Sequence, residues 1–232
     1  MNTRLVGSEM CIRDSNKHMC GRYYIDIAND ELSFVNNFSE IEYDQNFNVA
    51  PQAPAPCIID NNLVIANWGY FPDWLKSQSN PRPLFNTRYE SLLEKKTFTS
   101  AFKNSRCLIP ISGWYEWKDE DGIKQPYYFF DNSENVLFAA GLYWNRSSGD
   151  IETSIITREA VSSLQTIHNR SPLLLTKDQR EIWMSDLSSE EIYPEVLGHE
   201  YDNIEFYKVD RAVNNPKNNN DSLIRKYEEV PF

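Results

Sequence analysis

No stretch of this 232-residue chain approaches the run of about 18 apolar residues that a membrane-crossing helix needs, which excludes a helical membrane protein. Cysteine is scarce and scattered. Cys11, Cys20, Cys57 and Cys107 show neither C-x-x-C nor metal-ligand spacing, so neither a disulfide framework nor a bound metal is expected. The chain does not open on a charged, apolar and cleavable segment, and the expected setting is therefore reducing and cytoplasmic. Positive charge is also in deficit: 23 Lys and Arg against 34 Asp and Glu leave a net charge of −11, which argues against bulk attraction to nucleic acid. A local basic cleft is still possible, since Arg22, Arg82, Arg88, Arg106, Arg158 and Arg170 are spread among aromatic and apolar residues. With no internal repeat and no interdomain linker, a chain of this length buries one core as a single domain.

What is present begins at Tyr23, where apolar patterning starts. Residues 1–18 carry no helical or strand period and read as a leader foreign to the fold, non-native or disordered, leaving 19–232 as the domain. RYYIDI predicts a first strand, and Asn29 a cap for a short helix with Leu32, Val35 and Phe38 on one face. The prolines from Pro51 to Pro56 predict an extended loop. Asn61–Asn62 and Asp121–Gly122 predict two hairpin turns, and VLFAAGLYW and ETSIIT two further strands. Short helices are expected around Tyr89–Leu93, Phe98–Phe102, Lys177–Met184 with Thr176 as cap, and Glu190–Leu197. Strands outnumber helices and alternate irregularly with them, so the class is α+β on a strongly twisted antiparallel sheet.

Four stretches gather groups that can do chemistry. In MCGRY, removal of Met19 would leave Cys20 with a free α-amine beside its thiol. The amine, with a reference pKa of about 7.7–8.0, can form a Schiff base with an aldehyde, and the thiol can then close a five-membered thiazolidine. An internal cysteine cannot do this, and Cys20 as a small buried hydrophobe is the plainer reading. In PLFNTRYES, Asn86 offers a donor and an acceptor, and Arg88 a fork suited to phosphate; alone they read as a turn residue and a solvated cation. In RCLIPISGWYEWK, Glu116 shares a strand face with Trp114 and Lys118, where apolar flanks favour a general acid or base, although strand glutamates commonly face solvent. In TIHNRSPLLL, His168 sits in a loop constrained by Pro172, a position for proton transfer or for a structural histidine.

Taken together, the order MCGRY, NVAP, WGYFPDW, FNTRYES, RCLIPISGWYEW, ITREA, IHNRSP and AVNNP resembles the SOS response-associated peptidase (SRAP) family from Met19 to about Ile224. The resemblance implies a single SRAP-like domain on a barrel-like sheet with short peripheral helices. It implies covalent capture and shielding of abasic sites in single-stranded DNA, through a thiazolidine on Cys20. Asn86 would hold the opened sugar, and Glu116 and His168 would move protons. Arg22, Arg88 and Arg170 would hold the DNA backbone, and Trp68 and Trp74 flank a segment that wedges against or stacks on bases. It further implies that a leader blocking the α-amine is cut off, by autocatalytic removal in one route. An abasic sugar is mostly a closed hemiacetal, so exposing its aldehyde calls for acid–base help but for no cofactor and no metal. The expected partner is single-stranded DNA containing abasic sites, with no membrane, and the protein is expected to be a cytoplasmic monomer, nucleoid-associated when bound to DNA.

Three other readings compete. An N-terminal-nucleophile amidohydrolase such as a class II glutamine amidotransferase also begins Met-Cys-Gly, but the glycine- and arginine-rich signatures of that class are missing downstream. A thiol peptidase could use Cys20, His168 and Glu116. A non-covalent single-stranded DNA-binding module would keep full function without the Cys20 thiol.

Overall fold

The computed structural model describes residues 21–27, 32–197, 201 and 203–228. The leader 1–18, Met19, Cys20 and the cap expected at Asn29 lie outside the described residues. Twelve strands and four α-helices are described: β1 (Arg22–Ile25), β2 (Asn46–Val49), β3 (Pro54–Ile59), β4 (Asn62–Trp68), α1 (Asp73–Lys76), β5 (Asn86–Arg88), α2 (Lys96–Asn104), β6 (Arg106–Ile111), β7 (Gly113–Glu120), β8 (Ile123–Asp131), β9 (Leu137–Asn145), β10 (Ile151–Glu159), β11 (Arg170–Pro172), α3 (Lys177–Trp183), α4 (Ser189–Glu195) and β12 (Ile204–Lys208).

The strands form two sheets. One has five strands in the order β12-β8-β7-β1-β2; the other runs β11-β10-β4-β3-β6-β9, with β5 added to β10. Because β9 also pairs with β10, strands β3, β4, β6, β9 and β10 close on themselves as a five-stranded barrel, which leaves no edge among them. The barrel-like α+β class expected above is what is found, with one amendment. Pairings β10–β4 and β10–β5 are parallel, so the second sheet is mixed.

Local chemistry explains most elements. Asp121 and Gly122, both at positive φ, turn the β7–β8 hairpin where expected. The β3–β4 turn is Asp60–Asn61, one residue earlier than expected, because Asn62 already pairs with Ile59. Thr176 and Ser188 close capping boxes on α3 and α4. Two expectations are corrected. Residues 32–40 hold turns and a 3₁₀ turn at Phe38–Glu40 in place of a helix, although Leu32 and Val35 are buried as the pattern required. Pro54 and Pro56 lie inside β3, not in a loop. Ala53 accepts a hydrogen bond from Trp68 on the β4 side, and β6 pairs with β3 only at Ile58, so the missing proline N–H groups leave no rung of the ladder unmade.

The main core lies between the barrel and the inner face of the five-stranded sheet, with Trp68, Trp114 and Trp183 fully buried. On the outer face of that sheet, Tyr24, Phe47, Tyr115 and Tyr128 pack under Val209, Val213 and Leu223 of the C-terminal segment. Gly113 makes the corner where β7 begins, since a Cβ there would lie 2.4 Å from the Tyr128 hydroxyl oxygen. The period of two along β7 then sends Trp114 and Glu116 inward while Tyr115 joins the outer cluster.

Candidate functional site

A cavity of about 820 Å³ opens where β1 begins. Gly21 lines it from just before β1, Arg22 from β1, Phe85 from the segment before β5, Trp117 from β7, His168 from the loop before β11, and Asn214 from the C-terminal segment. The antiparallel register Arg22↔Tyr115 and Tyr23↔Trp114 runs the backbone of β1 toward Glu116 as it approaches Gly21.

Glu116 is 1% exposed, and its Oε1 lies 3.8 Å from His168 Nδ1, a pair that is ionic once the ring is protonated. The same Nδ1 accepts a hydrogen bond from the Arg170 backbone N–H at 3.2 Å, and the Arg170 carbonyl oxygen lies 3.3 Å away. In the neutral ring Nδ1 is an acceptor and the proton sits on Nε2; in the imidazolium Nδ1–H turns to Glu116 and the Arg170 carbonyl. The site therefore holds either protonation state of one imidazole, with a buried carboxylate beside it.

Asn86 opens β5, half-buried and in register with Ile155, directly after the cavity-lining Phe85. Of the six arginines singled out, Arg22 and Arg82 line the cavity. Arg22 donates from Nη1 to the Gly21 carbonyl oxygen at 2.6 Å, and burial holds its guanidinium below its ordinary pKa. Arg88 is solvent-exposed on β5, away from the cavity lining. Arg170 is committed elsewhere: Nη1 and Nη2 donate to the two Glu90 carboxylate oxygens at 2.6 and 2.9 Å, and Nη2 also to the Thr157 carbonyl oxygen at 2.6 Å. Arg106 is structural, donating to the carbonyl oxygens of Phe102, Trp183 and Ser185.

The two tryptophans part company. Trp74, on α1, is 54% exposed. Trp68 is 1% exposed, edge-on to Tyr23 and Phe85, with Nε1 donating to the Phe85 carbonyl oxygen at 2.8 Å. Trp68, expected at the flank of a base-contacting segment, is a buried ring that braces the cavity wall at Phe85.

Sequence reasoning missed the Asp119–Lys124 pair (3.0 Å) at the β7–β8 tip, and the Trp117 Nε1–Asn214 Oδ1 hydrogen bond (2.7 Å). The second had a signal, because NVAP and AVNNP are joined in space: Asn48 Nδ2 donates to the carbonyl oxygens of Val213, Asn215 and Asn218, which sets Asn214 at the cavity. Among the described residues no cluster of His, Cys, Asp and Glu suits a metal ion, and no helix is long and apolar enough to cross a membrane.

Several known proteins resemble this chain. Abasic site processing protein YoqW of Bacillus subtilis is 33% identical over 224 residues, covering 90% of this chain and 100% of YoqW. Abasic site processing protein HMCES of Mus musculus is 27% identical over 227 residues, 77% of this chain and 64% of that protein. A crystal structure of a protein from Bacteroides thetaiotaomicron superimposes with a TM-score of 0.75 at 22% identity, covering 90% of this chain and 100% of that one. A family profile described as SOS response associated peptidase (SRAP) matches residues 19–216, and the chain belongs to that family.

Proposed function

We propose that this protein processes abasic sites in DNA by capturing them covalently on Cys20. The observation that carries this reading is one juxtaposition: Gly21, the residue bonded to Cys20, lines the same cavity as His168, behind which Glu116 is buried. Relatives named abasic site processing proteins, one of them matched over its full length, support it.

The chemistry is a condensation. With residues 1–19 removed, His168 and Glu116 assist proton movement as the closed sugar opens to its aldehyde. The α-amine of Cys20 attacks C1′, and loss of one water leaves a C=N bond. The thiol sulfur then adds to that carbon, its proton passing to nitrogen, and the thiazolidine closes. Asn86 would hold the opened sugar. Arg22 and the exposed Arg88 suit phosphate, and the exposed Trp74 offers a face for a base, which fits single-stranded DNA.

Intact mass after incubation with a single-stranded oligonucleotide carrying one abasic site tests the proposal. A chain begun at Met19 and the full chain are compared. A heat-stable species at the summed mass less one water, absent in Cys20→Ala, is the expected result; its appearance from the full chain together with loss of residues 1–19 supports self-removal. No adduct from a chain whose free N-terminal cysteine is verified in the same spectrum would sink the proposal. Release of ammonia from glutamine would favour an amidohydrolase.

A further inference from the structure

Glu90 lies in the 3₁₀ turn Tyr89–Ser91 that follows β5, outside the cavity and outside the chemistry described above. Its carboxylate receives both terminal nitrogens of Arg170, a fork-to-fork pair, while Arg170 also donates to the Thr157 carbonyl oxygen of β10. The fork is thus fixed from two sides. The Arg170 side chain is 13% exposed, so this is an internal strut with only the carboxylate end reaching solvent. The backbone of that same residue meets His168 Nδ1 through its N–H, with its carbonyl oxygen nearby.

We propose that Glu90 is a positioning residue: by pinning the Arg170 side chain to β10, it fixes the Arg170 peptide against His168 and so sets the orientation and protonation of the imidazole that serves the reaction. The proposal rests on the abasic-site reading for the reaction, but not for the geometry. Arg170, expected to hold the DNA backbone, has its fork on a carboxylate of this chain. The Glu90 carboxyl is consistent with the strut: burial pushes its pKa up, but the hydrogen bonds and charge of Arg170, with Arg88 nearby, bring it below the ordinary value. The Arg170 N–H favours the neutral ring and its carbonyl oxygen the imidazolium, so loosening the strut should shift the His168 titration. Among the described residues, the other charged groups that face this ring or line its cavity are Glu116 on β7 and, across the cavity, Arg22 on β1, Arg82, and Asp119 and Lys124 of the β7–β8 hairpin; none is altered by the test.

Glu90→Ala and Glu90→Gln are compared with wild type in the chain begun at Met19, its free N-terminal cysteine verified by intact mass. Three quantities are measured: the adduct-forming rate at saturating abasic oligonucleotide, the affinity for the same oligonucleotide without the lesion, and the His168 imidazole titration by NMR. Glu90→Ala is expected to slow the saturated rate by about 10-fold or more, as misplacement of a catalytic group does. It should leave lesion-free binding within about twofold and move the His168 titration. Glu90→Gln keeps an oxygen for the fork and should recover most of both properties. Tighter oligonucleotide binding by Glu90→Ala at an unchanged rate would overturn the proposal and make Glu90 a competitor of phosphate. An unmoved His168 titration would also overturn it. If wild type itself forms no adduct, the abasic-site reading fails, and the titration still decides whether Glu90 positions His168.

Discussion

Glu116 meets His168 at 3.8 Å in a setting where it is 1% exposed, so replacing its carboxylate with an amide keeps the shape and removes the proton acceptor. Glu116→Gln is expected to slow adduct formation by about 10²-fold or more at unchanged oligonucleotide affinity, as measured by single-turnover crosslinking. The two tryptophans give an opposite pair of outcomes. Trp68→Ala removes a fully buried ring and should cost about 3–5 kcal/mol in denaturant unfolding. Trp74→Ala touches little, should leave stability within about 0.5 kcal/mol, and should weaken single-stranded DNA binding by about 1–3 kcal/mol. Both tryptophans belong to one short motif, and nothing local distinguishes them. Their difference comes from the end of β4, where Trp68 meets Tyr23 and Phe85, residues distant in the chain.

Among the elements, the one most dependent on a single side chain is the C-terminal segment over the five-stranded sheet. Asn48 on β2 donates to three carbonyl oxygens of that segment while itself nearly inaccessible to water. Asn48→Ala removes this donor from the Val213 and Asn218 carbonyls, that of Asn215 keeping the Asn218 N–H, and should cost about 1–3 kcal/mol in thermal or denaturant unfolding. The Trp117–Asn214 contact at the cavity should loosen with it, visible as faster amide exchange at Asn214 and its neighbours. The helix caps at Thr176 and the Asp121–Gly122 turn could be read from the sequence because each depends on residues within four positions. The strand containing Pro54 and Pro56 could not, because a proline is compatible with a strand only where its neighbour asks for no N–H, and that depends on where β6 stops pairing.

For the molecule as a whole, the net charge of −11 and a cavity carrying Arg22, Arg82 and Lys124 pull in opposite directions. Lys124 is paired with Asp119, so Arg22, Arg82 and the exposed Arg88 are the cations counted, and three phosphate contacts predict a slope of about −2 for the logarithm of the binding constant against that of salt on single-stranded DNA. A salt titration of oligonucleotide affinity checks this, and a slope near zero would mean that these cations do not contact the backbone. The site thus depends on segregation of charge within an acidic surface, and composition carries no information about segregation.

What the sequence by itself determined is whatever depends on near neighbours and on period: the α+β class, the placing of Glu116 on one strand face with Trp114, the cap at Thr176, one hairpin turn, and a set of ordered motifs. What only the tertiary structure decided is which of those motifs meet. Closure of β10 onto β9 and β4, the pairing of β1 with β7 and the return of residues 209–224 over the outer sheet bring His168 to Glu116 and Asn214 to Trp117. The same closure buries Trp68 and spends the Arg170 fork on Glu90. The physical reason is that a side chain's local sequence sets the direction it points from its strand, whereas its burial and its charge partner are set by strands far away in the chain, whose register no local pattern encodes.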